Sequence, residues 1–157
     1  MAMAAPTPVS SAPWNEAVEK VIDVPVEKAW AIACDFLGFP SEHIDKVENV
    51  KGENGLPGCQ RKFMYKNQKG GQNFIVEELT AIDAANHKVA YTLVNTDEIV
   101  EPGQEAYIQL TSESEGRTRI KWPFRFTSTQ VDTEMLSQIY QHLFNTWVGE
   151  LERRARE

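Results

Sequence analysis

The spacing of apolar residues predicts a short helix near the N-terminus. Its apolar positions recur at intervals of three and four and would form one buried face: Val26, Ala29, Trp30, Ala33 and Phe36. Pro25 suits the start of this helix, because a residue in the first turn needs no amide hydrogen. Gly38 and Pro40 end the helix, and Pro40–Ile44 has room for one more short turn.

A second helix is predicted at the C-terminus, from about Asp132 to Arg154. Asp132 is a suitable N-cap residue, and Glu134 lies in the first turn, where a negative charge is favoured. One apolar stripe runs along this helix: Leu136, Ile139, Tyr140, Leu143, Trp147 and Leu151. With a rise of about 1.5 Å per residue, the helix is about 35 Å long and can cross a whole sheet.

The rest of the chain is typical of β-strands separated by turns rich in Gly, Asn and Asp. The predicted strands are about Trp14–Val24, Val47–Val50, Cys59–Tyr65, Asn73–Ile82, Lys88–Asn95, Ala106–Thr111 and Thr118–Phe126. Short loops between consecutive strands favour antiparallel pairing. The fold class is therefore α+β, with a curved seven-stranded antiparallel sheet around a long C-terminal helix. One helix cannot fill such a concavity, so we expect a ligand-binding hollow between helix and sheet.

Length and composition narrow the range of functions. The Ala-, Pro- and Ser-rich residues 1–13 are predicted to be a disordered tail, and residues 14–157 to be one small-molecule-binding domain. A net charge of -7 argues against binding nucleic acid. No apolar run is long enough for membrane insertion. Cys34 and Cys59 have no spacing that indicates a bridge, so a reducing, cytoplasmic location is expected. The histidines are too scattered to indicate a metal, and no cofactor motif is present.

Alternation along the strands brings three polar side chains onto apolar faces. Glu77 shares its face with Ile75 and Leu79, and burying a carboxylate there requires a partner or a chemical task. By the same parity Tyr91 lies between Val89 and Leu93, and Arg61 lies with Phe63 and Tyr65. Desolvation would raise the pKa of Glu77 for proton transfer, and Arg61 would oppose that rise. Arg61 is also suited to holding an anionic group, and Tyr91 to donating a hydrogen bond to an oxyanion.

The predicted pocket lining comes from these strands and from the C-terminal helix. It comprises Phe63, Tyr65, Ile75, Leu79, Val89, Leu93, Trp122, Leu136, Tyr140, Leu143 and Trp147. Tyr107 is ambiguous, because its parity partners are Glu105 and Gln109 whereas Ile108 and Leu110 mark the other face. It points inward only if a bulge shifts the register.

Several local strings carry a family resemblance. They are Val24–Trp30, Gly58–Lys62, Glu77–Asp83, Val89–Tyr91 and Trp147–Leu151. With the order of elements, they resemble the START/Bet v1-like superfamily with the helix-grip fold, in its polyketide-cyclase/dehydrase and lipid-transport branch. The sequence looks most like plant proteins related to lachrymatory-factor synthase. That resemblance implies catalytic roles for Arg61, Glu77, Tyr91 and Tyr107 without any cofactor, although residues 67–71 depart from its pattern.

Three functions remain open from the sequence. The first is a cofactor-free lyase, isomerase or cyclase in which Glu77 moves a proton. The second is a non-catalytic carrier or sensor of a hydrophobic small molecule, in which Arg61 and Glu77 satisfy each other. The third is a protein-interaction module whose cavity is filled by its own aromatic side chains. The sequence leaves the ligand and the oligomeric state open.

Overall fold

The fold is a seven-stranded sheet with two α-helices, in the computed structural model of residues 16–38, 44, 46–67, 69–97, 104–125 and 133–157. The strands are β1 (Glu16–Ile22), β2 (Lys46–Lys51), β3 (Gln60–Lys66), β4 (Gln72–Asp83), β5 (Lys88–Thr96), β6 (Glu105–Ser114) and β7 (Arg117–Arg125). The helices are α1 (Val26–Ala33), a 3₁₀ turn (Phe36–Gly38) and α2 (Thr133–Ala155). The predicted fold class is confirmed.

The sheet is antiparallel throughout, in the order β1-β7-β6-β5-β4-β3-β2. Consecutive strands from β2 to β7 pair with their neighbours, and β1 closes the far edge against β7. The pairing of β4 with β5 shifts register twice, between Val76 and Glu77 and between Leu79 and Ala81. Such bulges bend a strand and increase its twist, so β4 curves at the position of Glu77.

The predicted elements differ from the observed ones mainly at their ends. The first helix stops at Ala33, with Cys34 as its C-cap, and Phe36 lies in the separate 3₁₀ turn. The C-terminal helix begins at Thr133, one residue after the predicted start. The N-terminal tail (1–13), Trp14, residues 40–43 and the predicted N-cap Asp132 lie outside the described residues.

The core lies between the concave face of the sheet and the two helices. Helix α2 packs against α1 and β1, and its buried residues are Phe144, Trp147, Val148, Leu151 and Ala155. The sheet contributes alternate residues of its central strands, including Leu79, Tyr91, Ile108, Ile120 and Phe124. This packing fixes α2 across the sheet at the β1 end, and the β3–β4 end carries the polar cluster described next.

Candidate functional site

Arg61 and Glu77 form an ion pair on the concave face. They lie directly opposite each other on β3 and β4, so the strand register alone brings their side chains together. The Arg61 Nε and Nη2 groups both donate to Glu77 Oε1, at 3.0 and 2.8 Å. Both N–H groups therefore converge on one carboxylate oxygen, and Oε2 accepts no hydrogen bond from the described residues.

The Arg61 guanidinium also contacts Phe36, Phe63 and Tyr91. Arg61 Nη1 donates to the carbonyl oxygen of Phe36 at 2.7 Å. The guanidinium carbon lies 3.8 Å from the centroid of the Phe36 ring, 4.6 Å from that of Phe63 and 5.1 Å from that of Tyr91. Cation–π contacts of this kind are strongest where water is excluded, and Arg61 is only 3% exposed. Three of the five guanidinium N–H groups point to Glu77 and Phe36, and the expected role of Arg61 as an anion anchor stays a prediction.

The 3₁₀ turn that carries Phe36 is tied to the loop between β2 and β3. Asn54 Nδ2 donates to Asp35 Oδ1 at 2.7 Å, and the Leu37 amide donates to Asn54 Oδ1 at 3.2 Å. The Asn54 side chain thus holds the residues on both sides of Phe36 and joins their turn to the β2–β3 loop. We call Asp35, Asn54 and Leu37 the Asn54 bridge; it positions both the ring and the carbonyl that meet Arg61.

Glu77 is buried enough for its protonation to be unusual. Its side chain is 15% exposed, against 4% for Arg61. Desolvation raises the pKa of Glu77, and the charge and hydrogen bonds of Arg61 only partly oppose that rise. A carboxyl group with a raised pKa, and with an Oε2 that accepts no hydrogen bond from the described residues, can both accept and return a proton.

Tyr91 and Tyr140 lie within the electrostatic field of this carboxylate. Burial, reinforced by the negative charge of Glu77, raises the pKa of the Tyr91 hydroxyl well above its ordinary value. The same two causes raise the pKa of Tyr140. The charge of Arg61 and the nearby indole N–H of Trp122 partly oppose this rise in the pKa of Tyr91. Both tyrosines therefore stay protonated and serve as hydrogen-bond donors.

Tyr140 is held in one place by three side chains. Its hydroxyl donates to Gln104 Oε1 at 2.6 Å. Its ring stacks on Phe124 at a centroid distance of 4.5 Å and meets the edge of Trp122 at 5.8 Å. The first turns of α2 are thereby fastened to β7 and to the residue that directly precedes β6.

Tyr107 is not part of this cluster, and of the two orientations that the sequence left open it has the outward one. No register shift occurs along the β5–β6 pairing, so strict alternation places Tyr107 opposite Ala90 on the outer face. Its ring lies 4.1 Å from Lys88 Nζ, and Ile108 occupies the core. Burial alone raises the pKa of Tyr107, with no contribution from Glu77.

The predicted lining residues fall into three groups. Those buried on the concave side are Phe63, Leu79, Val89, Leu93, Trp122 and Trp147. Tyr65, Ile75 and Tyr140 are half-buried. Leu143 is a correction: it is 38% exposed, because the buried face of α2 centres on Phe144 and Leu151, about 90° further round the helix. The side chain of Leu136 lies outside the described residues.

Phe36 and Gln104 are members of the site that the sequence does not reveal. The pattern around Phe36 predicts only a buried helical face, and nothing local indicates that its carbonyl meets an arginine on β3. Gln104 borders a Gly- and Pro-containing loop, yet it is 3% exposed. Its position directly before the apolar alternation of β6 was the available signal.

Within the described residues, no group of three or more His, Cys, Asp or Glu side chains is arranged to hold a metal ion. No helix in the described part of the chain combines the length and the apolar character that crossing a membrane requires.

Strand order, the long C-terminal helix and the buried polar cluster together define a helix-grip, Bet v1-like protein, and solved structures agree. An uncharacterised Bacillus thuringiensis protein matches with a TM-score of 0.74 at 16% identity, covering 90% of this chain and 98% of its own. The Bacillus cereus protein XoxI gives 0.74 at 16% identity, with 90% and 95% covered. Ara h 8.0201 gives 0.70 at 17% identity, with 89% and 95% covered. At such identities these similarities concern the fold.

The family itself is shown by sequence. Residues 15–154 match the model of the family described as polyketide cyclase / dehydrase and lipid transport, and the chain belongs to that family. No curated protein matches the chain significantly, so its closeness to the lachrymatory-factor-synthase group stays a prediction.

Proposed function

We propose that this protein binds a small, largely apolar organic molecule between the concave face and α2, and that it catalyses a cofactor-free rearrangement, cyclisation or elimination of that molecule by proton transfer. Family membership and the fold support ligand binding in general. The proton transfer is the specific part of the proposal. It rests on Glu77, whose Oε1 is held by Arg61 and whose Oε2 has no partner among the described residues.

The chemistry follows from the roles of three groups. Glu77 Oε2 takes a proton from a C–H or O–H group of the bound molecule, and the electron pair left behind moves onto a neighbouring oxygen of the ligand. The Tyr91 hydroxyl donates a hydrogen bond to that oxygen as negative charge develops. Protonated Glu77 then returns the proton to a different ligand atom, which completes a rearrangement or cyclisation, or to a leaving group, which completes an elimination.

Arg61 acts on Glu77 and not on the ligand. It fixes the carboxylate in one orientation and limits the rise of its pKa that burial causes. The aromatic rings of Phe36, Phe63 and Tyr91 exclude water from the guanidinium. This arrangement suits a positioning residue.

A non-catalytic carrier is the second candidate, and one observation favours it. Two N–H groups of Arg61 already bond to one oxygen of Glu77, as expected for a pair that only shapes a binding cavity. In that case the molecule leaves as it entered. The family description names both enzymatic and transport activities.

The domain limits and the location belong to the same proposal. We assign the ligand-binding domain to residues 14–157, which include the family match at 15–154. Cys34 and Cys59 are free thiols, as is usual in the reducing cytosol, where we place the protein.

The test begins with mass spectrometry of small molecules retained by the purified protein. The identified compound, or its nearest available analogue, is then incubated with wild-type protein, Glu77→Gln and Glu78→Gln. Glu78 is the matched control, because it faces away from Glu77 along the same strand and pairs with Gln60 at 2.9 Å. Catalysis predicts at least a 100-fold loss of turnover in Glu77→Gln alone. A compound recovered unchanged from all three proteins, with only its affinity altered, identifies a carrier.

A further inference from the structure

Gln104 is a buried amide with an unused donor. It directly precedes β6, where its carbonyl oxygen accepts hydrogen bonds from the Leu93 amide and the Thr92 hydroxyl, both at 2.8 Å. Its side chain is on the concave side, because the Tyr140 hydroxyl on α2 donates to its Oε1. Nε2 has no hydrogen-bond partner among the described residues, and the residue is 3% exposed.

A buried amide N–H₂ group destabilises a protein unless a hydrogen-bond acceptor pairs with it. Buried amide N–H groups are nearly always hydrogen-bonded, and each one left unpaired costs on the order of 1–3 kcal/mol. The Tyr140 bond determines which way the amide points, because Oε1 must face the hydroxyl and Nε2 must face away from it. The unpaired N–H₂ is therefore held in a defined direction by a tyrosine that also lies in the field of Glu77.

The surrounding charges limit what this donor can receive. The positive charge of Arg61 is already paired with Glu77, and the raised pKa values of Tyr91 and Tyr140 reflect an environment unfavourable to anions. A carboxylate or phosphate would meet this same environment. A neutral acceptor oxygen brings no charge into this environment and can accept a hydrogen bond from the amide of Gln104.

We propose that Gln104 Nε2 donates a hydrogen bond to a neutral carbonyl-type oxygen of the bound molecule, with Tyr140 as the residue that orients the amide. The inference rests on the proposed binding function and adds its polar specificity. Gln104 is thus a ligand-binding residue that selects oxo compounds over hydrocarbons of the same shape.

A matched pair of probes tests this directly. 2-Acetylnaphthalene carries a carbonyl oxygen where 2-ethylnaphthalene carries two hydrogens, and the two are otherwise alike. Wild-type protein should bind the ketone about 3- to 10-fold more tightly, as expected for one neutral hydrogen bond. Gln104→Leu and Tyr140→Phe should reduce that ratio to about one while keeping the affinity for the hydrocarbon. The outer-face variant Tyr107→Phe should keep the ratio.

A second readout uses the wild-type protein alone and does not depend on how variants fold. In ¹H–¹⁵N spectra, the side-chain amide signals of Gln104 should shift with the ketone and stay in place with the hydrocarbon. A ketone preference that persists in Gln104→Leu, equal wild-type affinities, or unmoved Gln104 signals would each overturn the inference while leaving ligand binding intact. Failure of both probes to bind would contradict the binding function together with the inference.

Discussion

The ion pair between Arg61 and Glu77 is asymmetric: two guanidinium N–H groups donate to the same carboxylate oxygen, at 3.0 and 2.8 Å. The asymmetry matters because it divides the carboxylate into an oxygen that is held and an oxygen that can react. The direct opposition of the two residues on β3 and β4 produces it, and Arg61 Nη1 donates to the Phe36 carbonyl oxygen. The central claim is that this pair makes Glu77 a proton carrier.

Loss of Arg61 should destabilise the fold and raise the pKa of Glu77 further. In Arg61→Met the buried carboxylate loses its only cationic partner among the described residues. Removing one partner of a buried pair costs about 3–5 kcal/mol. Urea unfolding at neutral pH measures the loss, which should shrink at acid pH where Glu77 is protonated. Arg119→Met is the control, because Arg119 pairs with Glu113 on the exposed face and should change little. Equal losses of stability in the two variants would show that the buried pair matters no more to folding than the exposed pair does.

The effects of substituting Arg61 and Glu77 on the free energy of unfolding should also be strongly non-additive. Arg61→Met combined with Glu77→Leu removes both charges and leaves an apolar site of similar size. The double variant should therefore be more stable than Arg61→Met alone, since no unpaired carboxylate remains. A double-mutant cycle in urea measures the coupling. Simple addition of the two single losses would mean that the two side chains act independently.

The pH dependence of stability has a predicted sign. Because folding raises the pKa of Glu77, its contribution is fully present below the ordinary glutamate pKa and is lost as pH rises through the folded value. The stability of the wild type relative to Glu77→Gln should therefore fall as pH rises from about 4 toward neutrality. Denaturant unfolding at several pH values gives this difference. If the difference in stability between wild type and Glu77→Gln grew with pH instead, the attraction of Arg61 would affect the pKa of Glu77 more than desolvation does.

The Asn54 bridge should control the position of the guanidinium. Asn54→Ala removes the bonds to Asp35 Oδ1 and to the Leu37 amide, which hold the 3₁₀ turn of Phe36 in place. We expect a loss of about 1 kcal/mol and a shift of the Arg61 Nε–H signal in ¹⁵N spectra. Asn95→Ala, at an exposed strand position, is the control and should leave that signal in place. An unmoved signal in Asn54→Ala would show that Phe36 needs no such support.

Tyr91 and Tyr107 form a matched test of the two faces of the sheet. Tyr91→Phe should lower turnover, or ligand affinity in a carrier, by about 10-fold or more, because a donor facing the ligand is lost. Tyr107→Phe should stay within about twofold of wild type, because its hydroxyl is on the outer face near Lys88. Steady-state kinetics or binding titrations compare them. A larger effect at Tyr107 would contradict the register of β6.

Strand parity was enough to predict the core of the site. Arg61, Glu77 and Tyr91 each shared a face with apolar residues, and antiparallel pairing then placed them side by side. The same parity pointed Tyr107 outward, and the inward orientation came only from the resemblance. The elements were predictable for the same reason, because apolar periods of two and of three to four are properties of local sequence.

The missing parts depend on contacts that no local pattern encodes. Phe36 meets Arg61 because the chain after α1 turns back over β3, and that path is held by Asn54, which lies 19 residues after its partner Asp35. Gln104 is buried because α2 brings Tyr140 onto it from 36 residues further along. Leu143 is exposed because Phe144, and not Leu143, faces the sheet. The apolar stripe of α2 does not by itself determine which of these two neighbouring residues is buried.

The most direct test of the central claim is a ¹³C NMR titration of the Glu77 side-chain carboxyl in the wild-type protein and in Arg61→Met. The account predicts a wild-type midpoint above the ordinary glutamate pKa of about 4.3 and a still higher midpoint in Arg61→Met. A wild-type midpoint at or below the ordinary value would mean that the ion pair keeps Glu77 permanently charged. In that case Glu77 could not carry a proton in the proposed reaction.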